Sequence, residues 1–145
     1  MPLSARTAAC TGRAAVVLVD TSVWIEIFRR PARVRLEAVV DFDDVVTCLP
    51  VVQEVLQGFA DERAFALARD AMRALPIVES PLGRDVVEEA VDLSRAARRA
   101  GLTVRSGVDC LNAACAIRHR LTVLHYDRDF DALARISSLD SRRVS

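Results

Sequence analysis

The chain contains no lysine; all 20 of its basic residues are arginine. Mechanisms that need a lysine amine are therefore excluded, and any phosphate recognition falls to the guanidinium fork, which suits bidentate contacts. Charge of one sign is missing too, because 20 acidic residues balance the arginines. No general basic field announces nucleic acid. The four cysteines, Cys10, Cys48, Cys110 and Cys115, form no Cys-x-x-Cys pair and have no zinc-type spacing with His119 or His125. Cys48, Cys110 and Cys115 lie in apolar segments, where small buried hydrophobes in a reducing, cytoplasmic compartment are expected. No apolar run approaches the length of a membrane-spanning helix. Internal repeats and low-complexity tracts are absent. Residues 1–14, rich in Ala, Ser and Thr, lack the continuous hydrophobic core of a signal peptide; they are expected as a flexible extension ahead of a single domain over 15–145.

What the chain does have is apolar residues, 52% of 145, enough for one domain with a substantial core. Val16-Val17-Leu18-Val19 runs straight into Asp20-Thr21-Ser22. A short, continuous apolar run is the mark of a strand buried on both faces. Val45 to Leu49, Pro76 to Glu79 and Leu121 to Leu124 are further strand candidates, and Ile136 is a candidate start for an edge strand. Between them, helical spacing predicts helices over Thr21 to Arg30, Arg33 to Val40, a segment from Pro50 to Gly58 that carries Glu54, Asp61 to Leu75, Arg84 to Ala100, Asp109 to Arg120 and Phe130 to Arg135. Pro31 and Gly101 act as stops. Strands alternating with helices imply a parallel sheet covered on both faces.

In such a sheet ligands bind at the C-terminal strand ends, and that is where the acids fall. Asp20 follows the first strand, Glu54 sits in the helix after the second, Asp109 opens the buried helix, and Asp127 and Asp129 follow the fourth strand. Carboxylates that converge cannot all ionise without a cation. An all-oxygen set of this kind suits Mg²⁺ or Mn²⁺. Each acid also has a plainer role. Asp20 or Thr21 caps a helix, Ser106 and Asp109 fit a capping box, Glu54 lies off the apolar side of its helix, and Asp127, Asp129 and Asp131 suit a first turn. His119 and His125 read as surface or strand-end residues. The joint placement of the acids favours the metal.

Four stretches, Leu18-Val19-Asp20-Thr21-Ser22-Val23-Trp24, Val52-Gln53-Glu54-Val55, Asp109-Cys110-Leu111-Asn112-Ala113-Ala114 and Asp127-Arg128-Asp129-Phe130, occur in an order that resembles the PIN-domain family, and within it the VapC-type toxins. The resemblance covers about residues 16–137. It implies an α/β/α sandwich with a central parallel sheet ordered 3-2-1-4-5 and a Mg²⁺- or Mn²⁺-dependent endoribonuclease acting on tRNA or ribosomal RNA. It also implies a homodimer and a small antitoxin partner. Carried over, the catalytic acids are Asp20, Glu54, Asp109 and Asp127; the metal ligands are Asp20, Asp109, Asp127 and Asp129; Thr21 and Ser22 assist.

His125 departs from the pattern, where similar toxins carry threonine. Arg29, Arg105 and Arg128 are the candidate RNA contacts. Trp24, Phe28, Phe59 and Phe65 are expected between subunits or in the core, and a groove of Trp24, Ile27 and Phe28 is expected to take a partner helix. A non-toxin PIN nuclease in RNA processing and a catalytically silent RNA-binding module remain open. A phosphoacceptor receiver would want a lysine, and a dehalogenase-like phosphatase would want Asp-x-Asp after the first strand; neither pattern is present.

Overall fold

Val17, Leu18 and Val19 are fully buried and form β1 (Val17–Val19), with a neighbour on each side. The structure, a computed structural model, describes residues 16–144; the extension expected over 1–14 and Cys10 lie outside the described residues. β2 (Val45–Cys48), β3 (Ile77–Val78), β4 (Thr122–His125) and β5 (Asp140–Arg143) complete a sheet of order β3-β2-β1-β4-β5. Every pairing is parallel, with Val17 opposite both Val45 and Thr122 and Thr122 opposite Asp140. The expected order and class are therefore observed. Because β1 and β4 are adjacent and parallel, the residues after both, Asp20 and Asp127, emerge at one sheet edge.

Among the described residues six α-helices cover this sheet: α1 (Thr21–Phe28), α2 (Leu49–Gln57), α3 (Glu62–Arg73), α4 (Arg84–Arg99), α5 (Gly107–Arg118) and α6 (Arg128–Arg135). α5 is buried along most of its length, as its apolar circumference predicts. Gly101, at φ 74°, ends α4 in a Schellman turn: its N–H donates to Arg98 O and the Leu102 N–H to Ala97 O. α5 closes the same way, except that Arg120 takes the left-handed position at φ 54°.

Several boundaries differ from expectation. α1 stops at Phe28, not Arg30. The helix expected over Arg33 to Val40 is only a 3-10 turn, Leu36–Ala38, with Val34, Leu36 and Val40 buried in the core and Val39 packed against it. Leu49 belongs to α2 rather than β2, ahead of a Pro50 that suits a first helical turn. α6 begins at Arg128, capped by Asp127. The fifth strand is Asp140–Arg143; Ile136 instead caps α6. Three of the four β5 side chains are exposed, and the strand is fixed by pairing and by a 2.6 Å bond from Thr122 Oγ1 to Asp140 Oδ2.

Candidate active site

The β1–α1 turn sets the first acid. Asp20 occupies the N-cap of α1 and is 3% exposed; its Oδ2 accepts from Ser22 N at 3.0 Å and from Ser22 Oγ at 2.6 Å. Ser22 Oγ in turn accepts from Tyr126 N at 3.0 Å, so the turn after β4 is tied to the turn after β1. Asp20 is thus both a helix cap and a member of the site. Burial pushes its pKa up, against the lowering effect of the Ser22 bonds.

Thr21, the next residue, points to the second acid. Its Oγ1 donates to Glu54 Oε1 at 2.9 Å. Glu54 is half-buried on α2, not simply on a solvated face, and its pKa is raised by burial, opposed by the Thr21 bond, with Asp20 and Asp127 adding to the rise. Both hydroxyls of the Thr21-Ser22 pair are therefore used to hold an acid.

The third acid enters from α5. Ser106 caps that helix, accepting from Asp109 N at 3.4 Å, while the Asp109 side chain is 6% exposed. Burial first, then the negative charges of Asp20 and Asp127, push its pKa up to about 9. The backbone supplies the cap, and the carboxyl is left for other work.

The β4–α6 turn brings the rest. Asp127 caps α6 by accepting from Asp129 N at 2.9 Å. Asp129 is buried; its Oδ2 accepts from the backbone N–H groups of Arg105 (3.0 Å) and Ser106 (3.3 Å), so it locks the start of α5 onto the start of α6. Asp109, Asp127 and Asp129 each present an oxygen within 4.8 Å of the others. Asp109 Oδ2 and Asp129 Oδ1 are buried and have no hydrogen-bond partner. Two orphaned carboxylate oxygens facing one small volume fit a hard cation that takes oxygen ligands. Asp20 stands outside that group of three, although its charge acts on Asp109.

Of the three arginines expected near the acids, Arg105 is there, with Nη2 3.7 Å from Asp127 Oδ1 and Nε 3.8 Å from Asp129 Oδ1. It offsets part of the cluster's negative charge. Arg29 pairs with Glu26 at 3.1 Å and shares a groove of about 330 Å³ with Glu54. Arg128 is exposed at the first position of α6.

Of the two places expected for His125, surface or strand end, the structure shows the second: it is the last residue of β4 and fully buried, its ring 5.2 Å from that of Phe130 and its Nε2 3.6 Å from Asp131 Oδ1, and burial lowers its pKa. Trp24 takes the core alternative, stacked on Phe28 at 5.8 Å, and the expected groove needs correction. The groove beside the acids is walled by Ile25, Phe28, Val55 and Phe59 in place of Trp24 and Ile27. Cys48, Cys110 and Cys115 are free and buried, as expected.

One polar residue at the site was not singled out from the sequence. Asn112, 1% exposed on α5, places Nδ2 3.5 Å from Asp20 Oδ1, and its own Oδ1 accepts from Cys48 Sγ at 3.4 Å. The available signal was an amide three residues after Asp109 in a helix apolar nearly all round.

Comparison with known proteins agrees with this arrangement. Ribonuclease VapC11 of Mycobacterium tuberculosis is 36% identical over 137 residues, which span 87% of this chain and 97% of that protein. Among solved structures, VapBC2 from Rickettsia felis bound to a promoter DNA fragment superposes with a TM-score of 0.72 at 14% identity, covering 89% of this chain and 98% of that one. VapBC-5 from Mycobacterium tuberculosis gives 0.67 at 24% identity, covering 89% and 99%. These two likenesses are of fold. The PIN domain matches residues 17–136, and the chain belongs to the PIN-domain family.

Proposed function

We propose that this chain is a divalent-metal-dependent endoribonuclease and the toxin half of a toxin–antitoxin pair. The observation that carries the reading is the meeting of Asp109, Asp127 and Asp129 around two orphaned buried oxygens, beside Asp20 and Glu54. The likeness to a protein named ribonuclease VapC11 supports it. Asp20, Asp109, Asp127 and Asp129 would hold Mg²⁺ or Mn²⁺. Such an ion supplies charge neutralisation at the scissile phosphate and a more acidic water. Glu54, with one oxygen fixed by Thr21 and a raised pKa, is placed to receive the proton of the attacking water. Arg105, Arg128 and Arg29 would bind RNA phosphates, and the substrate class is tRNA or ribosomal RNA.

The partner proposed is a small antitoxin whose apolar helix lies in the Ile25–Phe28–Phe59 groove. An arginine of that partner would reach the acids and pair with two carboxylates, occupying the place of the ion. Ile25, 54% exposed, is the natural first contact. A homodimer through α3, where Phe65 is half-buried and Leu67 is 57% exposed, is expected by light scattering at micromolar concentration.

The test combines cleavage and growth. Structured RNA should be cut with Mg²⁺ or Mn²⁺ present, spared in EDTA, and cut again when metal is restored. Expression should arrest growth, with relief by the adjacent antitoxin gene and none with Asp20→Asn. EDTA-resistant cleavage would remove the metal; harmless wild-type expression would remove the toxin.

A further inference from the structure

We propose that Asn112 is a positioning residue for the metal site, fixing the Asp20 carboxylate by holding Oδ1 while Ser22 holds Oδ2. The inference rests on the metal reading above and concerns a residue that touches neither substrate nor ion.

The geometry is specific. Ser22 grips Oδ2 through two bonds from within the β1–α1 turn. Among the described residues the side chain reaching Oδ1 is Asn112, from α5. A carboxylate held at one oxygen can rotate about its own axis; one held at both, from two different elements, cannot.

Asn112 is itself held the right way round. The Cys48 thiol donates to Asn112 Oδ1, which turns Nδ2 toward the acid. The reversed amide would set its carbonyl oxygen against a carboxylate oxygen. The result is one line of contacts from β2 through α5 to the β1–α1 turn, continued by Ser22 to the β4–α6 turn. It joins three pieces of chain that bear the acids to β2, which leads into the helix bearing Glu54.

The amide is 1% exposed, so solvent does not explain it, and both of its polar atoms are used inside the protein.

The experiment measures Mn²⁺ binding to the whole protein with no RNA present. Asn112→Leu should fold with an unchanged circular dichroism spectrum and bind Mn²⁺ about tenfold more weakly, the scale of a lost outer partner of a metal site. RNA binding in metal-free buffer should not change. Cys48→Ala should weaken Mn²⁺ by a smaller factor, about twofold to threefold, because it only loosens the amide. Cys110→Ala, on the same helix but facing the groove beside α4, should leave Mn²⁺ affinity as it was.

A folded Asn112→Leu protein with Mn²⁺ affinity within about twofold of wild type overturns the assignment, as does an equal loss in Cys110→Ala, which would mean general loosening of α5. Should the leucine variant not fold, Asn112→Ser is read by the same criteria. A wild-type protein that binds no Mn²⁺ overturns the metal reading itself, whereas the first two outcomes leave that reading standing.

Discussion

Asp20 and Asp109 are both buried acids at one sheet edge, yet the chain treats them in opposite ways. Asp20 has a donor on each oxygen. Asp109 has a buried oxygen with no partner and a pKa pushed up to about 9. One carboxylate is held by donors on both oxygens; the other keeps an oxygen without one and sits beside two more acids. A buried carboxylate without donors is unfavourable to fold around, a cost that the proposed divalent ion would offset.

The widest separation should come from asparagine at each position. Both Asp20→Asn and Asp109→Asn should lower cleavage of structured RNA by more than about 100-fold, since even an outer partner of a metal site is worth up to that. Their stabilities should diverge. In EDTA at pH 8, Asp109→Asn removes a carboxyl that must take up a proton to be buried and should raise Tm by about 5 °C or more. Asp20→Asn gives the Ser22 and Asn112 donors only one carbonyl oxygen to share and should lower Tm. Equal shifts in both variants would erase the contrast.

A subtler difference lies in pH. The Asp109 carboxyl stays protonated in the metal-free folded protein up to about pH 9, while the unfolded chain ionises it near its ordinary value of 3.8. A raised folded pKa gives stability that is complete below the unfolded value and lost as pH rises toward the folded one. The Tm advantage of Asp109→Asn over wild type should therefore be near zero at pH 4 and grow up to about pH 9. Saturating Mg²⁺ or Mn²⁺ should close or reverse it, because the ion stabilises only the chain that binds it. A gap that stays flat across this range would place the orphan oxygen in contact with water after all.

Arginines should give the smallest effects. Arg105 stands between Asp127 and Asp129, whereas Arg29 is already engaged by Glu26. Arg105→Ala should flatten the log–log salt dependence of single-stranded RNA binding by about 0.7, the share of one phosphate contact, and Arg29→Ala by less. An unchanged slope when Arg29, Arg105 and Arg128 are all replaced would locate the RNA elsewhere.

The central strands and the acids that follow them were legible because both depend on local pattern. Val17–Val19 and Thr122–His125 are unbroken buried runs, and a carboxylate at the end of each needs no knowledge of the rest of the fold. β5 was not legible. Asp140–Arg143 carries no apolar alternation, and charge on an edge strand is what discourages pairing with other chains. The burial of His125 at its strand end was not legible, because an imidazole is polar in composition yet packs as an aromatic once neutral, here against Phe130. Trp24 packs inward while its neighbour Ile25 is exposed. Asn112 reads in the sequence only as part of a motif. Its role needs Asp20, 92 positions away, to be seen beside it.

The sheet order has a consequence for how the protein is made. β1 and β4 are the adjacent middle strands, so a growing chain that has passed α4 but not β4 exposes one whole side of β1. Its first acid is then in place without the last two, and the lock from Asp129 to the start of α5 has not been thrown. The acid group is therefore complete only once the residues that follow β4 have been added.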